Sequence, residues 1–167
     1  MPKHFYRRRY RGSRDKYSVE QSASIVVVPA ATGTTPGQNG IVVVPPTTIQ
    51  GMRKVKHISI SLAHPAATAQ AAPTSIFWAL VYVPQGTGIG TLNINQSGIG
   101  PASDFYEPNQ YVMNCGVADF EAGPVRISSP LSRNLNSGDQ IALILANPAT
   151  SGPIGIDSVV RYAITLQ

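Results

Sequence analysis

No ten-residue window of this 167-residue chain places apolar residues at helical spacing, while glycine and proline (15 + 14 = 29) recur between short apolar runs. Such punctuation leaves little room for long helices, because proline removes a backbone donor and glycine carries a large entropic cost in a helix. The period that does appear is two, the period of a strand with one face toward a core. Tyr17, Val19, Ala23, Ile25 and Val27 alternate with Ser18, Glu20, Ser22 and Ser24, which predicts a half-buried strand ended near Pro29. The stretch ATGTTPGQNG at 31–40 reads as a loop, and the IVVVP of 25–29 returns at 41–45 as a second β segment.

The later segments follow the same logic. Ile58, Ile60 and Leu62 oppose Ser59 and Ser61, yet Lys54 and Lys56 share the phase of the apolar set. Two ammonium groups cannot face a core, so this strand begins at a rim or contains a bulge. Between Pro65 and Pro73 there is room for a turn or two of helix. SIFWALVYVP at 75–84 is apolar on both phases, the mark of a central strand buried on both faces, with Trp78 in the core. QGTGIG at 85–90 reads as a hairpin turn. A strand follows from about Tyr111, and another is broken by Pro130. A turn at 136–139 leads into the apolar run 140–146. The last strand sets Val160, Tyr162, Ile164 and Leu166 against Val159, Arg161 and Thr165. The expected body is all-β, a sandwich or barrel of about eight strands.

Charge divides the chain in two. Residues 1–16 hold Lys3, Arg7, Arg8, Arg9, Arg11, Arg14 and Lys16 against Asp15, a net 7 − 1 = +6, whereas the whole protein is +5. Residues 17–167 therefore sum to −1. A short polycation cannot bury apolar surface, and its guanidinium groups suit bidentate phosphate contacts. Tyr6 and Tyr10, with Phe5 and Tyr17, interleave rings on which unpaired bases can stack. The arm is thus expected to bind nucleic acid, with nuclear import as a compatible second role and a solubilising tail as the plainer alternative. In the body, Arg53, Lys54 and Lys56 form the one basic cluster in sequence, either an exposed rim or a second phosphate-facing patch. A body with so few charges is expected to cover much of its outside with other chains.

Signals for chemistry are weak. His4, His57 and His64 have no cysteine or carboxylate beside them in sequence, so surface or interface roles suit them better than metal ligation. Asp119 and Glu121 could share one side of a strand as a cation site or acid–base pair, but they flank a predicted turn where solvated carboxylates are common. Cys115, the one cysteine, allows no internal disulfide and is expected to be a buried, inert thiol. That usage fits a reducing compartment. No apolar run approaches a membrane span, and the N-terminus has no apolar signal core. Neither an enzyme nor a cofactor is expected.

An arginine-rich arm running into an all-β body resembles the capsid proteins of small circular single-stranded DNA viruses that encode a replication initiator, the circovirus-like group. The likeness rests on RRRYRGSRDKY at 7–17, RKVKHISISL at 53–62, FWALVYVP at 77–84, YEPNQYV at 106–112 and GPVRISSPLSRNLNSGDQI at 123–141. It implies a single jelly-roll β-sandwich over 17–167. It further implies an icosahedral homo-oligomer of about 60 copies, arms directed inward against a circular single-stranded DNA genome. Such a shell would carry on the order of 360 arm charges, packaging by electrostatics and not by base reading. A virion protein that passes through the host nucleus with the help of import receptors follows from the same likeness. Two other classes remain open at this point. A ribosomal or other RNA-associated β protein would carry basic residues across its body, and a non-viral jelly-roll lectin would use a loop such as Asp104, Phe105, Tyr106 and Glu107.

Overall fold

The computed structural model describes residues 17–33, 35–65, 75–89 and 112–166. Among these there are nine β-strands and no α-helix: β1 (Ser18–Val28), β2 (Gly37–Val44), β3 (Arg53–Ala63), β4 (Ser75–Val83), β5 (Val112–Asp119), β6 (Val125–Ser129), β7 (Arg133–Leu135), β8 (Gln140–Asn147) and β9 (Ile154–Leu166). The short helix expected within 63–73 falls mostly outside the described residues.

The chain is folded back on itself as one long ribbon. β4 pairs with β5, β3 with β6 and β7, β2 with β8, and β1 with β9, every pairing antiparallel. Rolling that ribbon gives two facing sheets, β1-β9-β3-β6 with β7 beside β3, and β2-β8-β4-β5. This winding is a jelly roll, one of the sandwich forms that the strand pattern left open and the one that the resemblance implied. β6 and β7 lie end to end along one edge of β3 because Pro130 interrupts what would otherwise be a single strand.

The core between the sheets is built from alternate residues of facing strands. Val55, Ile58, Ile60, Leu62, Ile127, Ile156 and Val160 from the first sheet meet Ile41, Ile76, Leu80, Ile141, Leu143 and Leu145 from the second. β8 and β4 are apolar on both faces because the second sheet buries its outer side as well. Ala79, Val81, Val83, Ala142 and Ile144 form a separate cluster there, against which Ile89 and Val112 pack. Trp78 is partly buried against the main core, its ring directly over Gly116 in β5; a Cβ at that position would lie 2.8 Å from ring carbon Cζ2.

Three sequence expectations need correction. β1 exists where predicted, but its apolar alternation faces outward: Val19, Ile25 and Val27 are 58, 74 and 56% exposed. Its inner side carries Ser18, Glu20, Ser22 and Ser24, and only Val26 and Val28 reach the core. Period-two patterning fixes which residues share a face, not which face is covered. β2 begins at Gly37, inside the stretch read as loop, where the absence of a side chain lets the strand pass against the carbonyls of Pro29 and Ala30. Thr87 N donates to the Pro84 carbonyl at 3.1 Å, so a turn is present at 84–87, and the chain beyond the expected hairpin turn at 85–90 lies outside the described residues until β5 begins at Val112. Finally, Cys115 is exposed, on a strand that is an edge among the described residues.

Candidate nucleic-acid interface

The arm residues Lys3, Tyr6, Arg7, Arg8, Arg9, Tyr10, Arg11, Arg14 and Lys16 lie outside the described residues, as do Asp104, Phe105, Tyr106 and Glu107. What the fold does place is the point from which the arm departs. Tyr17 immediately precedes β1, and its ring lies under the Lys56 ammonium, 3.6 Å from nitrogen to ring centroid. Pairing explains the meeting. Val19 and Lys56 both stand opposite Ala163, from β1 and β3 on either side of β9. Ala163 has only a methyl group, so the longer flanking side chains can close over it, and it is buried although it sits on an outer face.

A bulge in β3 puts Lys54 and Lys56 on that face. β3 advances from Lys56 to Ser59 while β9 advances from Ala163 to Arg161, three residues against two. The extra residue is His57, in the left-handed region at φ 55°. Before it, Arg53 and Val55 point inward; after it, Ile58, Ile60 and Leu62 do. The phase conflict of the two lysines is therefore resolved by a one-residue bulge.

The remaining body cations separate into two groups. Arg161 stands opposite Ser59, and Arg126 opposite Ser61, both on the outer face; Arg126 Nε donates to Ser59 Oγ at 3.3 Å. Lys54, Lys56, Arg126 and Arg161 thus share the outer face of the first sheet with Tyr17, and among the described residues Asp157, opposite Ala63, is the acid on that face. Arg126 and Arg161 are not grouped with the lysines by sequence because they lie 70 or more positions from Lys56 in the chain. Strand alternation alone assigns Arg161 to the face opposite Val160 and Tyr162, a usable hint.

Arg53 does not belong to the patch. It is 7% exposed and points the other way, donating from Nη1 to the Pro45 carbonyl and from Nη2 to the Asp139 carbonyl, each at 3.0 Å. Burial lowers its pKa, an effect that Tyr162 and Asp139 partly offset. The Asp139 carboxylate meanwhile accepts bonds from the Asn136 amide at 2.8 Å, the Tyr82 hydroxyl at 2.8 Å and the Gln85 amide at 3.1 Å. Arg133 stacks on the Tyr82 ring at 4.3 Å. These groups hold the turn at 136–139 against both sheets.

Of the weaker sequence candidates, Asp119 Oδ1 accepts the Glu121 amide at 2.9 Å, so this carboxylate closes the turn after β5. Among the described residues no three histidine, cysteine or acidic side chains come together as a metal site.

Neither a protein-family model nor a curated protein sequence matches the chain. Among solved structures it is similar to a CocE/NonD family hydrolase from Staphylococcus aureus, with a TM-score of 0.37, 7% identity and 93% of this chain covered. The match spans only 37% of the hydrolase. It is also similar to the winged bean acidic lectin complexed with methyl-α-D-galactose, with a TM-score of 0.27, 14% identity, and coverage of 93% of this chain and 94% of the lectin. At these scores neither likeness bears on what the chain does.

Proposed function

We propose that this chain is the coat protein of a small circular single-stranded DNA virus. The jelly roll forms a closed homo-oligomeric shell, and the arginine-rich arm holds the genome inside it. The observation that carries the reading is the coincidence of the arm's root with the cationic face of the body. Tyr17 leaves the fold on the side that presents Lys54, Lys56, Arg126 and Arg161. A strand of nucleic acid held by the arm would meet that face next, and its phosphates would release counterions to both. Arginine and tyrosine in the arm suit unpaired bases and phosphates together. The same basic run would serve for nuclear import, placing assembly in the host nucleus and the product in the virion.

Negative-stain electron microscopy of the purified protein, with its 260/280 nm absorbance ratio, tests the reading. Uniform spheres with a raised ratio are expected. Monomers or small oligomers that bind nucleic acid would point to an RNA-associated β protein, and species free of nucleic acid would remove the packaging role.

A further inference from the structure

We infer that β1 is a pairing edge at which two copies of this chain join their first sheets antiparallel, about a two-fold axis at Ser22. The inference goes beyond the shell reading, since it would hold for a simple dimer.

Among the described residues, β1 is an edge strand of eleven residues with β9 on one side and no strand on the other. Proteins usually protect such an edge with lysine, proline, a bulge or a short length. β1 has none of these: no proline or lysine lies within 18–28, its single charge is Glu20, and its register with β9 runs unbroken from Ser18 to Val28. The opposite edge of the same sheet is interrupted by Pro130.

The backbone groups on the free edge can be identified. Ser158 Oγ donates to the Ser24 carbonyl at 3.0 Å, so Ser24 turns its main-chain groups toward β9. Those of its odd-numbered neighbours turn the other way, and the Val27 carbonyl is taken there by Asn39 Nδ2 at 2.9 Å. Among the described residues, nothing pairs with the donors and acceptors of Val19, Gln21, Ala23 and Ile25, which face an incoming strand. These residues also carry the outward side chains, and Val159 of β9, 43% exposed, extends their apolar surface opposite Ala23.

A second β1 complements this edge. With the axis at Ser22, Val19 faces the partner's Ile25 and Gln21 faces the partner's Ala23. Glu20 then meets the partner's Ser24, so no like charges oppose each other. The ladder would contribute about eight backbone hydrogen bonds, close to the total of a standard protein interface. Charge selects the antiparallel arrangement. It sets the two +6 arms about 34 Å apart at opposite ends of the ladder, several screening lengths, whereas parallel pairing would lay them side by side.

Cysteine cross-linking tests the register. In the full chain carrying Cys115→Ser, Ser22→Cys would place two thiols across the axis with Cα atoms about 4.5 Å apart, within disulfide range. Mild copper-catalysed air oxidation is expected to give at least about ten-fold more covalent dimer from Ser22→Cys than from Ser18→Cys, which faces Val26 across the ladder. Adding Ile25→Lys, at a position exposed in the monomer, should reduce that dimer by a similar factor. If Ile25→Lys loses its β-sheet circular dichroism, Gln21→Pro replaces it, removing only a free-edge donor. Equal cross-linking at both positions, no cross-link at Ser22, or cross-linking of Ser22→Cys to foreign polypeptides instead of itself would overturn the pairing. Shells that form without the Ser22 cross-link would sink the pairing and leave the coat reading. Cross-linked dimers that never form shells would do the reverse.

Discussion

The Lys56 ammonium rests 3.6 Å from the centre of the Tyr17 ring, spanning the width of β9 above Ala163. The contact fastens the first described residue after the arm to the middle of the sheet. At a solvent-accessible site such a pair is worth about 0.5–1 kcal/mol, too little to hold the fold but enough to bias the arm's direction. Tyr17→Ala should leave the thermal midpoint nearly unchanged. Amide exchange over 18–20 should rise about three-fold, the factor that corresponds to roughly 0.7 kcal/mol of local opening. Hydrogen exchange with mass spectrometry reads this directly, and an unchanged rate would mean the stacking does not order the arm's root.

The outer-face cations predict a salt dependence. Each phosphate contact on a single strand contributes about 0.7 to the slope of log affinity against log salt. Replacing Lys54, Lys56, Arg126 and Arg161 with glutamine should lower the slope for a single-stranded oligonucleotide by about 3. Replacing Arg7, Arg8, Arg9 and Arg11 with alanine should lower it by a similar amount, and the two losses should add if both surfaces hold the same strand. A slope unmoved by the first set would confine binding to the arm. Arg53→Met, which removes an inward-facing charge, should leave the slope of the folded protein as it was.

Much of the fold is legible in the sequence, and the site only in part. Runs of alternating or continuous apolar residues locate the strands, since both burial on one face and burial on two leave a pattern in the chain. An irregularity in β3, a rim or a bulge, is legible too, because Lys54 and Lys56 cannot share the inward phase of Ile58 and Ile60, and the pairing with β9 decides for the bulge. Facing is not. β1 alternates as a half-buried strand should, yet Val19, Ile25 and Val27 point outward, and local periodicity contains nothing about what lies on either side. The same limit applies to the basic cluster. Adjacency in sequence groups Arg53 with Lys54, whereas alternation along a strand sends them to opposite faces, and Arg126 and Arg161 join the lysines only through pairing across β3.

Arg53 and Asp139 form a structural joint whose loss should be costly. Arg53→Ala would leave the Pro45 and Asp139 carbonyls without their charged donor, at about 2–4 kcal/mol by urea denaturation. Asp139 adds a pH dependence. Burial by itself raises its pKa, but the bonds from Asn136, Tyr82 and Gln85 outweigh this and hold it below the ordinary carboxylate value. A lowered folded pKa contributes stability that is fully present above the unfolded value, about 3.9, and is lost as pH falls through the folded value. Asp139→Asn should therefore destabilise the protein at pH 7 and flatten its stability curve below about pH 4. An equally steep acid limb in the variant would assign that limb to other carboxylates.

His57 tests whether the bulge is a device of the fold or an accident of this side chain. A non-glycine residue at φ 55° sits in a region that disfavours a Cβ by about 1 kcal/mol. His57 is exposed, so it has little packing to lose. His57→Gly should therefore stabilise the body by up to about 1 kcal/mol, while His57→Val, branched at Cβ, should destabilise it. Deleting His57 is a different experiment. It removes the extra residue, so either Lys54 and Lys56 turn inward or Ile58, Ile60 and Leu62 turn outward. Neither face tolerates the exchange, because the first buries two charges and the second empties the core of three large side chains. The deletion should not yield a folded protein. A folded product with unchanged stability would mean that β3 does not need its bulge to place both the core and the cationic face.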